Sequence, residues 1–172
     1  MSLDIHFHTL DDERDVSKLI DFIHHQDLHY PNYQDWVQRT ESELHSGYKH
    51  AIVASSQDKV VGDIIWQQHK QISKVRELKN LRVDQRLRGR YIGAFLLRQA
   101  ECEKPEQYDC ILGDVNTNQK SMIALLLQLS YTPLGTTQLY NSNNQDTIMI
   151  KTLNTKTQSG IIHNARSIFG LN

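Results

Sequence analysis

Cysteine is nearly missing from this 172-residue chain, which has only Cys102 and Cys110. Two thiols cannot build a disulfide framework, and this usage fits a reducing compartment. Neither sits where a nucleophile is useful. Cys102 falls on a predicted helix and Cys110 enters a predicted buried strand, so both read as structural. No apolar run is long enough to span a membrane. The first ten residues, Met1–Leu10, are polar and rich in His, which excludes a signal peptide. These absences point to the cytoplasm. The length suits one domain with enough chain for a proper core.

Net charge is also almost absent, at −1, but its distribution is uneven. Lys70–Arg98 holds nine of the nineteen Lys and Arg residues against two acids, Glu77 and Asp84, so this segment carries +7 and the remainder −8. A basic island suits a polyanion, either a nucleotide cofactor or RNA. Within it, Leu81 and Val83 read as a strand end, Arg88-Gly89-Arg90 as a basic turn, and Ile92, Phe95 and Leu96 as a helix that begins near Tyr91. The first turn of a helix leaves its N–H groups unpaired at the positive end of the dipole, where an anion fits. Gly89 lets the chain bend, and Gly93 offers no side chain where a ligand approaches. The local physics predicts a phosphate cradle. A Walker-type loop is excluded because Gly89 and Gly93 are too close and no Lys follows. A dinucleotide fingerprint needs three glycines early in a βαβ unit.

The spacing Val83, then Arg88-Gly89-Arg90-Tyr91-Ile92-Gly93, resembles motif A of the GNAT superfamily of N-acetyltransferases. Tyr91 stands where the family's first motif glycine usually stands. A positive φ there costs a tyrosine about 1–3 kcal/mol. The resemblance implies that the amides of residues 88 to 94 (Arg88, Gly89, Arg90, Tyr91, Ile92, Gly93, Ala94) hold the diphosphate of coenzyme A. It also implies an α/β fold: a mixed, mostly antiparallel twisted sheet of about seven strands, with a splayed parallel central pair and helices on both faces. The pantetheine arm is then expected to pair with the main chain of Leu81, Arg82 and Val83.

The rest of the chain supplies elements in that order. Asp4–Thr9 alternates Ile5 and Phe7 with His6 and His8. This reads as a first strand with His on its polar face rather than a metal pair. Asp11, Asp12 and Glu13 open a helix with the stripe Val16, Leu19, Ile20 and Ile23. Pro31 starts a second, spaced by Tyr33, Trp36, Val37 and Leu44. The resemblance puts the acceptor site beside the connection between these helices, so Tyr30, Tyr33 and Trp36 are candidates for lining it, alongside Tyr140. Lys49–Ser55 and Val60–Gln68 predict an antiparallel hairpin across Gln57-Asp58, with Gly62 marking a bulge. Val75–Val83 is the next strand, and Tyr108–Val115 follows the cradle helix as its parallel partner.

In the resemblance, Glu77 stands where some branches carry a general base. An amine attacks only when unprotonated, and a carboxylate takes its proton directly or through water. Asn116, Thr117 or Asn118 is expected to cap the next helix. By resemblance, Asn118 binds the cofactor arm, with Gln119 the alternative by a second count. The family's proton-donating tyrosine position holds Leu125 or Leu126, which leaves Tyr131, Tyr140 or water. Leu134–Tyr140 and Thr147–Leu153 predict a last hairpin. Residues 1–153 read as the acetyltransferase domain. Residues 154–172 read as a linker and an amphipathic patch (Ile161, Ile162, Ala165, Ile168, Phe169) that docks on the domain or on a second subunit.

The function implied is acetyl-CoA-dependent acetylation of a primary amine, on a small molecule or a protein, by direct attack in a ternary complex. No metal, membrane or nucleic acid is expected to take part, and a homodimer is one role for the tail. The alternative is a non-catalytic module of the same fold that senses coenzyme A or binds RNA.

Overall fold

The computed structural model describes residues 4–26, 32–139, 144–154 and 158–171. Among the described residues seven strands form one mixed sheet in the order β1-β2-β3-β4-β5-β7-β6, with five α-helices. The described residues divide into two compact units, the first spanning 1–67 and 79–100, the second 68–78 and 101–172.

In the first unit, β1 (His6–Thr9), β2 (Lys49–Ser56) and β3 (Lys59–Gln68) run antiparallel. Gln57 and Asp58 both adopt positive φ, as the tight hairpin turn demands. Helix α1 (Glu13–His24) starts at Asp12, whose side chain accepts from the Asp15 amide. Helix α2 covers Tyr33–His45. The two bury Val16, Leu19, Ile20, Ile23, Tyr33 and Val37 against Ala51, Val53 and Ile65. Strand alternation puts Gly62 and Ile64 on the opposite face. There α3 (Ile92–Cys102) approaches so closely that a Cβ on Gly62 would lie 3.3 Å from Leu96 Cδ1 and 3.1 Å from the Arg82 carbonyl. Helices thus cover both faces of this part of the sheet. The register shift lies between Ala54 and Ser55, opposite Gly62 and Val60. The extra residue is therefore Val61, next to the glycine expected to mark it, and its carbonyl accepts the Asp84 amide at 2.8 Å.

In the second unit, the start of β4 (Val75–Val83) pairs parallel with β5 (Cys110–Asn116), from Val75↔Cys110 to Glu77↔Leu112. Strand β7 (Asp146–Thr152) runs antiparallel to β5 and to β6 (Thr132–Thr137). Strand β6 begins two residues before the expected Leu134. Pro133 lacks an N–H, but it sits on an edge strand beside a register shift, where no ladder donor is missed. Helix α4 (Lys120–Gln128) follows Gln119, and no side chain caps it. The expected Asn cap does not form, because Asn116 Oδ1 accepts the Asn118 amide at 3.0 Å and closes a turn before the helix. Helix α5 (Gln158–Ile168) buries Ala165 completely, and Ile161, Ile162 and Phe169 pack with Val75, Leu112, Ile148 and Ile150. The tail patch therefore docks on its own chain.

Candidate functional site

The basic turn lies in the first unit, between β4 and α3. Asp84 Oδ1 accepts the Arg86 amide at 2.9 Å and opens a short 3₁₀ turn, Gln85–Leu87. The Arg86 guanidinium beside Asp84 holds that carboxyl below the usual carboxylate range. Arg88 Nε donates to the Val83 carbonyl at 3.2 Å, which ties the turn to the strand end. Gly89 then takes φ +76° and Tyr91 φ +63°. The tyrosine therefore occupies the left-handed conformation that its glycine counterpart would adopt without strain. The first bond of α3 runs from the Phe95 amide to the Tyr91 carbonyl at 3.0 Å. The amides of Ile92, Gly93 and Ala94 therefore open the helix as first-turn donors. Arg88, Arg90 and Tyr91 are exposed, the last at 76%. First-turn donors, the helix dipole and the exposed Arg88 and Arg90 gather positive charge at this turn, an arrangement suited to an anion.

Also in the first unit, a buried polar network joins β3, β4 and the two N-terminal helices. Asn80 Nδ2 donates to Asp63 Oδ2 at 2.5 Å, and Arg82 Nε donates to Asn80 Oδ1 at 2.9 Å. Arg82 Nη1 donates to the Gln26 carbonyl at 2.8 Å and to the Tyr33 hydroxyl, which itself donates to the Ile23 carbonyl at 2.7 Å. Tyr33 stacks on Trp36 at 5.8 Å between ring centroids, and Arg82 lies 5.2 Å and 5.7 Å from those two rings. Tyr33 is buried and Trp36 half-buried. Tyr30 and Tyr140 lie outside the described residues. Asp63 is fully buried, and burial outweighs the nearby Arg82 charge, raising its carboxyl to about 7. The sequence signal for this site is one acid inside the apolar run Val60–Trp66. Its partners Asn80 and Arg82 emerge only from strand register.

In the second unit, Glu77 is half-buried on β4 opposite Leu112. Asn118 is exposed just before α4, Leu125 is half-buried and Leu126 buried. Tyr131 is 2% exposed, and Lys151 Nζ sits 5.6 Å from its ring while pairing with Glu101 at 2.8 Å. Arg76 is buried over the Tyr108 ring at 4.2 Å and donates to the Glu103 carbonyl. Burial pushes the Cys110 thiol up, away from nucleophilic use. Among the described residues no group of three His, Cys, Asp or Glu is placed to hold a metal ion, and no helix is long and apolar enough to cross a membrane.

A mixed seven-stranded sheet with a parallel pair, whose strand–helix crossover opens on a basic amide turn, defines the class of GNAT-fold acyltransferases. The chain belongs to the acetyltransferase (GNAT) family, whose model matches residues 10–131. No curated protein matches the sequence. The chain is similar in fold to the ribosomal-protein-S18-alanine N-acetyltransferase of Escherichia coli, at 16% identity and a TM-score of 0.72, over 91% of this chain and 98% of that one. It is also similar to yncA of Salmonella typhimurium, solved with its cofactor acetyl-CoA, at 15% identity and a TM-score of 0.70, over 88% and 95%. A third is NAA60 of Arabidopsis thaliana, solved with a bisubstrate analogue, at 14% identity and a TM-score of 0.69, over 87% and 98%. At these identities the likeness is one of fold.

Proposed function

We propose that the protein is an acetyl-CoA-dependent N-acetyltransferase acting on a primary amine of a small molecule or protein in a ternary complex. The observation that carries this reading is the open first turn of α3, flanked by exposed Arg88 and Arg90, in a chain of this family. The amides of residues 88–94 hold the diphosphate, and the main chain of Leu81, Arg82 and Val83, with Asn118, holds the arm. Acetyl-CoA supplies the activated acyl group, and the new C–N bond forms as the C–S bond breaks. Glu77 takes the proton from the attacking amine. Tyr131, Tyr140 or water returns one to the departing thiolate, which needs little help at a thiol reference pKa of about 8.5. Trp36 lines the acceptor side with Tyr30, Tyr33 and Tyr140. The cytoplasm supplies such substrates.

A second reading, a coenzyme A sensor without turnover, draws support from Leu125 and Leu126 at the tyrosine position and from the burial of Tyr131. One assay separates them. The protein is incubated with acetyl-CoA and three probes, a peptide opening with alanine, a lysine peptide and spermidine, and free thiol is followed. The enzyme reading expects thiol release with at least one probe and a loss of 100-fold or more in Glu77→Gln, with coenzyme A affinity kept. Stabilisation by coenzyme A with no thiol release favours the sensor. RNA binding that collapses with salt, with no coenzyme A effect, contradicts both.

A further inference from the structure

Asp63 has no role in the reading above, yet it is the least ordinary side chain of the first unit. It is 0% exposed in the middle of β3, and its Oδ1 has no hydrogen-bond partner among the described residues. A carboxyl in such a place is costly, and buried polar groups left half-satisfied concentrate where a structure serves function.

Its other oxygen starts an ordered chain of donors and acceptors. Oδ2 takes the Asn80 amide NH₂, so the Asn80 oxygen is left to face Arg82 Nε. If the amide were reversed, its NH₂ would oppose a guanidinium that can only donate. The Arg82 head, held this way, reaches the Gln26 carbonyl, two residues beyond α1, and the Tyr33 hydroxyl, the first residue of α2. One guanidinium thus grips both ends of the segment that joins the two helices. It also lies against the Tyr33–Trp36 stack, while Lys49 Nζ sits 5.5 Å from the Trp36 ring. Every member belongs to the same compact unit.

We propose that the side chains of Asp63, Asn80 and Arg82 form a positioning relay that fixes an acceptor wall at Gln26, Tyr33 and Trp36 and so sets affinity for the acceptor amine, leaving donor binding to the main chain of the strand. The inference rests on the acetyltransferase reading for the identity of that wall. The relay transfers no proton, since Asn80 is not a proton carrier. It acts by orientation.

The test uses Asn80→Ala, Asp63→Ala and Asp63→Asn in the full chain. Asp63→Asn keeps an acceptor oxygen for Asn80 after rotation of its amide, so it is the conservative rescue. Three quantities are read: coenzyme A affinity by calorimetry, KM and kcat for whichever of the three probes releases thiol, and Trp36 emission in a Trp66→Phe background, which leaves Trp36 as the single tryptophan. The relay predicts a tenfold or greater rise in the KM of that acceptor for Asn80→Ala and Asp63→Ala, with kcat within threefold and coenzyme A affinity within twofold. It also predicts red-shifted, more quenchable Trp36 emission, and near-normal values for Asp63→Asn. An unchanged KM overturns it. So does a parallel fall in kcat and coenzyme A affinity, which signals general loss of structure. If the unaltered protein takes up no coenzyme A, or releases thiol with none of the three probes, the functional reading fails instead. The relay is then judged on Trp36 alone, and unchanged emission in Asn80→Ala contradicts it.

Discussion

Tyr91 carries a conformational cost in plain view. Its φ of +63° and 76% exposure mean that little packing offsets the strain of a left-handed tyrosine, about 1–2 kcal/mol. Replacing it with glycine is expected to raise unfolding free energy by about 1 kcal/mol, partly offset by the greater entropy of an unfolded glycine. Urea denaturation checks this, and a loss of stability would show that the ring packs. Asp63 gives a second residue-scale expectation. The unfolded chain releases this proton near 3.8, whereas burial in the fold holds it to about 7. Between those values the folded chain carries the extra proton, so stability falls as pH rises through the window and levels above it. The span of about three pH units bounds the effect at about 4 kcal/mol. Asp63→Asn lacks this slope. Denaturation at pH 4.5 and 8.5 should show the wild type losing on the order of 2–4 kcal/mol more than the variant; equal slopes would contradict the buried neutral acid. At this scale the sequence is half legible. The acid stands out in an apolar run, but its partners sit seventeen and nineteen residues away, where only strand register joins them.

Helices and strands are the most legible level, because periodicity reports which face is buried. The ends of α3 and β4 fall where apolar spacing and Arg88-Gly89 place them. Periodicity does not say what covers a face. The patch Ile161–Phe169 is equally consistent with docking in cis or on a second subunit until Ala165 is seen at 0% exposure in the second unit's core. The cap of α4 is lost to a competing local bond at Asn116, the kind of choice that propensity alone leaves open. Ala165→Asp buries an unpaired charge under α5 and should destabilise the protein by about 3 kcal/mol or more. Thermal melts check this, and a shift within a degree would mean α5 is dispensable. Leu171, three residues past α5, lies against Gly135, its Cδ2 2.9 Å from where a Cβ would stand.

At the scale of the molecule, a near-neutral chain concentrates +7 between Lys70 and Arg98. That asymmetry steers an anion toward the turn. Coenzyme A affinity should therefore weaken several-fold between 50 and 500 mM salt, as the screening length for exposed charges shortens from about 14 Å to about 4 Å. Salt-independent affinity would assign binding to apolar contacts instead. Family membership was legible from motif spacing and element order together; the acceptor was not, because specificity resides in side chains and connections that patterning does not constrain.

The most direct measurement is a calorimetric titration of coenzyme A into the wild type and Gly93→Asp. An acidic residue in the first turn of α3 favours the helix through its dipole, so the variant is expected to keep its fold while a carboxylate stands at the proposed diphosphate site. The account predicts one-to-one uptake by the wild type and at least a 30-fold weaker affinity in a Gly93→Asp variant that melts no lower. No uptake by the wild type, or equal uptake by both, would contradict it.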